Sequence, residues 1–398
     1  MTTRNTLLMV SLAVGIGMAI SMLGLLSAQA APPPSALAVP DAAPAAESGA
    51  TWVSETVDGG NGDYVGKYTS LALDGEGAPH MSYYDESNLA LKYAHWDNST
   101  STWVSETVDG GSGQIAGLYT SLALEPTAPY TPHISYYDHT NSALKHAYLG
   151  ASGWVRETAD SVSGVLHTSL ALASTPPYTP HISYYDQSDR DLKYAYWDNS
   201  ASTWVRETVD SEGDVGYYAS LALASTAPYT PHISYWDYSN RDLKYAYLGA
   251  SGWVSETVDS EGNVGDYTSL ALESTAPYTP HISYYDNADD NKNLKYAYLG
   301  DSGWVSGTVD GEGNVGEHSS LALDADDVPH VSYFDNDNGD LKYATMVGDD
   351  EAPSADSVTV GGYVAAPRPL ATAAPWLLLG GLLGSATAAA LAYRRHKA

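Results

Sequence analysis

Pro132-His-Ile-Ser-Tyr-Tyr-Asp138 is short, aromatic and rich in β-formers, and it opens on a proline, which a strand tolerates at its first residue. The same P-H-[IMV]-S-Y-[YWF]-D pattern stands at Pro79–Asp85, Pro180–Asp186, Pro231–Asp237, Pro280–Asp286 and Pro329–Asp335. The copies are about fifty residues apart, a spacing that marks a repeat architecture. Each is preceded by an S-L-A-L run and followed by L-K-[YH]-A; W-V-x-[EG]-T follows every copy but the last.

Working outward from Pro132, Thr120–Leu124 forms a first small-apolar strand, and Glu125–Thr131 a Pro/Thr-rich turn. His133–Asp138 and Leu144–Leu149 are two aromatic runs around a short polar loop, the signature of a hairpin. Trp154–Thr158 supplies a fourth strand after Gly150–Gly153. Four strands in this span make a propeller blade. No run keeps a 3.6-residue period, which excludes helical and leucine-rich repeats. The expected fold is therefore all-β, a six-bladed β-propeller with four-stranded blades over residues 51–346.

The chain enters the repeats on the Trp52–Val57 strand and leaves after Leu341–Ala344. Blade six should therefore own three strands, with Trp52–Val57 supplying the fourth and closing the ring. Closure would remove a sheet edge that otherwise invites aggregation.

The chain has 398 residues, no cysteine and a net charge of −31. That charge repels phosphate backbones, so nucleic acid is excluded as a partner. It holds 32 tyrosines against one phenylalanine, which suits half-exposed strands whose ring packs while the hydroxyl bonds. Outside the repeats, residues 1–30 read as a signal peptide: a basic start, an apolar stretch and Ala28/Ala30 before the cleavage point. Residues 31–50 form an Ala/Pro-rich lead-in and 347–374 a stalk. Residues 375–393 have the length and composition of a transmembrane helix, and the basic tail 394–398 belongs on the cytoplasmic side. The expected localisation is the cell membrane, single-pass, with the propeller outside.

The six motif histidines and the strand-end aspartates (Asp138 and its counterparts) recur in every blade, so they read as scaffold rather than catalysis. Recurring lysines such as Lys145, beside a recurring glutamate such as Glu157, suggest cross-strand ion pairs. Departures from the repeat are the better guide to function. Entry to the inner strand reads Tyr68, Tyr119, His167, Tyr218, Tyr267 and His318. The two histidines lie three blades apart, where they should face each other across the channel. The ring is read as a polar aromatic lining and a candidate ligand-binding surface. Acidic loops of blades four to six gather on one face, with Asp286 and Asp335 as further ligand-binding candidates. Asp335, Asp337 and Asp340 make D-x-D-x-x-D, which begins like a calcium loop, so calcium is the candidate cofactor.

The unit S-L-A-L…P-H-I-S-Y-Y-D…L-K-Y-A-Y-W-D…W-V-x-E-T resembles the sialidase-like, Asp-box group of β-propellers; the loops Asp97–Trp103 and Asp198–Trp204 are similar to its Asp-box turn. The layout is also similar to six-bladed fucose-binding lectins. The first resemblance implies a glycosidase scaffold with an arginine triad; the second implies sugar sites between blades built on Arg, Glu and an aromatic. The arginines of the repeats are Arg156, Arg190, Arg206 and Arg241. Near-identical blades favour multivalent contact over a single catalytic centre. The expected function is a surface-anchored, non-enzymatic module binding an extracellular glycan or protein. The competing reading is a polysaccharide-active hydrolase or lyase.

Overall fold

The computed structural model describes residues 56–59, 64–288 and 291–346. These residues form six antiparallel sheets, five of four strands and one of three, each strand pairing with its neighbour in sequence. Blade four shows the plan: Val215–Leu223, Pro231–Asp237, Asp242–Gly249 and Gly252–Asp259. First strands of successive blades lie beside one another, so they line the axis and the fourth strands lie outside. Blade six is the three-stranded one, Val315–Leu323, Pro329–Asp335 and Asp340–Thr345, as the phase of the repeats requires.

Each position of the repeat has a physical task. In S-L-A-L the serine reaches the next blade: the Leu122 amide donates to Ser70 Oγ at 3.0 Å, Leu221 to Ser169 at 3.1 Å and Leu321 to Ser269 at 3.0 Å. The leucines and the Ile and Tyr of the motif fill the space between sheets, for example Leu192, Tyr194, Val215, Ile233 and Tyr235. Burying each such side chain contributes about 1.5–3 kcal/mol. Gly216 lets the inner strand approach the preceding blade, where a Cβ would lie 2.9 Å from Leu192 Cα. The motif histidine bridges strands: Nδ1 of His181 meets the Tyr194 hydroxyl, and His80 Nε2 lies 3.4 Å from Asp74. The strand-end aspartate turns the hairpin, with Asp237 accepting the Asn240 amide at 3.0 Å and its side-chain amide at 2.9 Å.

The lysines do not pair with the glutamates across the strands. Lys244 faces Thr257, while Glu256 faces Tyr245 one position on. Adjacent residues of a strand point to opposite faces, so lysine and glutamate cannot meet. Instead, in blades two and four to six the lysine crosses to an aspartate at the end of the previous blade's outer strand, as Lys145 to Asp109 at 3.1 Å and Lys295 to Asp259 at 2.5 Å. In blade three Lys193 stays in its own blade with Asp189 at 3.0 Å and Asp191 at 3.2 Å, and in blade one Lys92 reaches Asp58 at 2.6 Å. The motif tyrosine donates to that same aspartate, Tyr284 to Asp259 at 2.7 Å and Tyr83 to Asp58 at 2.6 Å. Glutamate accepts from the next blade's tryptophan, Trp253 Nε1 to Glu207 at 2.7 Å.

Blades one and six keep exposed the faces that other neighbours bury. Leu71 is 63% exposed where Leu122 is 7%, and Leu341 is 81% exposed where Leu294 is 0%. The strand expected to close the ring, Trp52–Val57, lies almost wholly outside the described residues, as do the signal peptide, stalk and membrane segments. Among the described residues no helix is long and apolar enough to cross a membrane.

Candidate functional site

Tyr68, Tyr119, His167, Tyr218, Tyr267 and His318 all sit in the left-handed region, with φ between 51° and 56°. For non-glycine residues this is sparsely populated and costs of the order of 1 kcal/mol or more each. The inner strands slip register around these residues, as between Tyr217 and Ser220, and the bulge re-aims the ring side chain sideways. Consecutive rings therefore touch: Tyr68–Tyr119 at 4.6 Å, Tyr119–His167 at 5.3 Å, His167–Tyr218 at 4.5 Å, Tyr218–Tyr267 at 4.6 Å and Tyr267–His318 at 4.4 Å. His167 packs on its two tyrosine neighbours, and burial pushes its pKa down to about 4, so it is neutral at neutral pH.

Asp286, Asp335 and Asp337 are each engaged in hydrogen bonds of a hairpin or loop. Asp335 accepts the amide and side chain of Asn338, both at 3.0 Å, within its own hairpin. Asp337 turns away to accept the Asn314 amide at 2.9 Å, tying the blade-six hairpin to the loop entering that blade. Asp340 pairs with Asp335 across the strands. Asp286 accepts the Ala288 amide at 3.1 Å. Among the described residues no three His, Cys, Asp or Glu side chains converge to hold a metal, and Asp335 and Asp337 accept hairpin and loop hydrogen bonds.

The structure does assemble a different site. A cleft of 840 Å³ crosses the hairpin face from blade three to blade five. Its wall is aromatic where blade four departs from the repeat: Trp236 replaces the motif tyrosine, and Tyr238 follows it, 55% exposed. These rings stack edge-on at 5.2 Å, and Tyr217 joins them at 5.9 and 5.7 Å. The Trp236 indole N–H is buried and has no acceptor among the described residues. Polar groups from three blades complete the lining: Arg190, Asp214, Ser239, Arg241, Asn263 and Asn287. Loop and hairpin are interlocked, since Ser239 Oγ accepts the Asp214 amide at 2.7 Å and the Asn287 amide donates to the Asn263 carbonyl at 2.7 Å.

Behind Asn287 lies Asp266, buried, accepting the Asn287 side-chain amide at 3.0 Å and leaving its other oxygen unpartnered. Burial, with Glu317 adding repulsion, raises its pKa to about 6. Asp266 occupies the most variable inner-strand position, held elsewhere by Lys67, Leu118, Leu166, Tyr217 and Glu317. That variability, and the Trp236/Tyr238 departure, were the sequence signals for this site.

A second, smaller cleft of 480 Å³ lies between blades two and three, lined by Tyr119, Tyr137, His139 and Gln187 among others.

No family model matches the chain, and no curated protein matches it. Solved structures that share its fold are six-bladed fucose-binding lectins and sialidase and arabinanase propellers. The BP39L lectin from Burkholderia pseudomallei superposes with a TM-score of 0.51 and 16% identity over 70% of this chain and 84% of that one. The fucose-specific lectin from Aleuria aurantia gives 0.46 and 11% over 72% and 92%. The leech intramolecular trans-sialidase gives 0.45 and 11% over 75% and 70%. At such identities the likeness is one of fold.

Proposed function

We propose that the protein is a non-enzymatic saccharide-binding propeller, with its principal site in the cleft across blades three to five. The observation that carries this is the pairing of an aromatic wall, Trp236 and Tyr238, with hydrogen-bonding side chains from three blades. Concave sites with apolar walls and a few placed polar groups are the common form of small-ligand sites. A sugar presents both surfaces, C–H faces for the rings and hydroxyls for Ser239, Asn263 and Asn287. The lectins among the propellers of like fold agree with this reading. Anchoring at the cell surface is part of the proposal, resting on the apolar segment 375–393 and the export signal 1–30. So is ring closure by Trp52–Val57. It is supported by Thr51–Asp58, which repeats Thr102–Asp109 residue for residue, and by Asp58, which holds Tyr83 and Lys92 as the other blade-end aspartates hold theirs. A glycan array probed with the detergent-solubilised full chain tests the saccharide reading. Tyr238→Ala should lose the bound glycans, and an array without hits would overturn it.

One observation favours the competing hydrolase reading. A buried carboxyl with a raised pKa, such as Asp266, is the form a general acid takes. Against it, Asn287 stands between Asp266 and the cleft, and the lining carboxylate, Asp214, accepts the Tyr185 hydroxyl at 2.7 Å. Turnover of any polysaccharide, lost in Asp266→Asn, would replace the binding reading with this one.

A further inference from the structure

Nine of the twelve lysines and arginines within residues 56–346 have a carboxylate oxygen within 4.0 Å. Among the described residues Arg190, Arg241 and Lys292 have none. In a chain with 48 acidic and 17 basic residues an unpaired basic side chain is the exception. Both unpaired arginines line the same cleft.

Their backbones are held as well. Arg190 and Arg241 end the hairpin turns of blades three and four with φ of 65° and 66°. At the same place in blade six stands Gly339, the residue that adopts this conformation without strain. The Arg190 amide donates to the Asp186 carbonyl at 2.7 Å, and its own carbonyl accepts from Val215 at 3.1 Å. Arg241 is pinned likewise, by Asp237 at 2.7 Å and Val264 at 3.0 Å. Two long cationic side chains thus project from fixed backbone positions with no carboxylate partner among the described residues. The same conformation ends the hairpins of blades one and two, at Leu89 (59°) and Ser142 (51°), so it belongs to the turn of the repeat, and in blades three and four it fixes where the arginines project.

We infer that the cleft takes an anionic saccharide, whose carboxylate or sulfate group is gripped by Arg190 and Arg241 while its ring lies on Tyr238 and Trp236. This rests on the saccharide reading above and narrows it. Guanidinium groups present two parallel donors to carboxylate and sulfate oxygens. The protein's overall negative charge does not defeat this, because at physiological salt exposed charges more than about 8 Å away are largely screened.

The test is an array carrying oligogalacturonates, their methyl esters, sulfated galactose oligosaccharides and neutral oligosaccharides, probed with the solubilised full chain. Anionic members should be retained at least tenfold better than the esters and neutral sugars. Arg190→Gln and Arg241→Gln should each lose at least tenfold of that binding, and Arg190→Lys should recover part of it. Arg156→Gln, on an outer strand beside Asp109, should change nothing. Retention of uronates alone or of sulfated sugars alone assigns the anion and supports the inference. Equal binding of esters and acids, or full binding by the Gln variants, overturns the anionic assignment and leaves the saccharide reading standing. An array with no hits overturns both.

Discussion

Lys295 of blade five reaches the carboxylate of Asp259, the last residue of blade four's outer strand, at 2.5 Å. Both residues are buried, and the Tyr284 hydroxyl donates to the same oxygen. The same pair joins blades one and two, three and four, and five and six, as Lys145–Asp109, Lys244–Asp210 and Lys342–Asp310; between blades two and three Arg206 takes the lysine's place at Asp160.

Removing one partner should therefore be costly. Asp259→Ala leaves a buried ammonium without a counter-charge and should destabilise by about 3–5 kcal/mol. The double variant Asp259→Ala/Lys295→Met should recover most of that loss. Denaturant titration of both variants reads the difference; equal losses would show that Tyr284, not the ion pair, holds the contact.

These aspartates also set the acid limit. Burial alone would raise the Asp259 carboxyl, but Lys295 and Tyr284 outweigh it and hold it below its ordinary value, as corresponding partners do for Asp210 and Asp310. A carboxyl lowered on folding adds stability above its unfolded pKa, which is lost as pH falls through the folded one. Thermal melts should thus drop steeply below about pH 4, the ordinary carboxylate range.

Asp266 acts in the opposite sense. Its folded pKa of about 6 exceeds the ordinary 3.8, so its contribution declines as pH rises from about 4 to 6. Asp266→Asn should raise stability at pH 7 by an amount of the order of 2–3 kcal/mol and change little at pH 4. Melting curves at the two pH values check this, and an equal shift at both would refute it.

Ring closure can be tested by crosslinking, because the chain contains no cysteine. In complete blades Ala246 pairs with Ser255 and Ala297 with Ser306. If Trp52–Val57 closes the ring in that register, Ala344 should lie opposite Ser54. A Ser54→Cys/Ala344→Cys chain should form an intramolecular disulfide under mild oxidation, seen as a shift on non-reducing gels. A free-thiol count unchanged after oxidation would argue against closure.

Much of this was legible from the repeat alone. Six copies of P-H-[IMV]-S-Y-[YWF]-D determined the blade count, and their phase determined that blade six has three strands of its own. These are local properties, because strand period and turn chemistry act within a few residues. The partners of the recurring charges were not legible. Lys244 and Glu256 look paired by proximity, yet a one-residue offset sends them to opposite faces, and lysine's counter-ion comes from 34 positions earlier, at Asp210. The D-x-D-x-x-D pattern of blade six was legible as a motif, but which donor meets Asp335 or Asp337 depends on a neighbouring loop. Arg190 and Arg241 likewise looked scattered in the chain. Only the packing of three blades sets both on one cleft with Trp236, because contacts between sheets depend on the closing geometry of the repeats and not on the composition of any one of them.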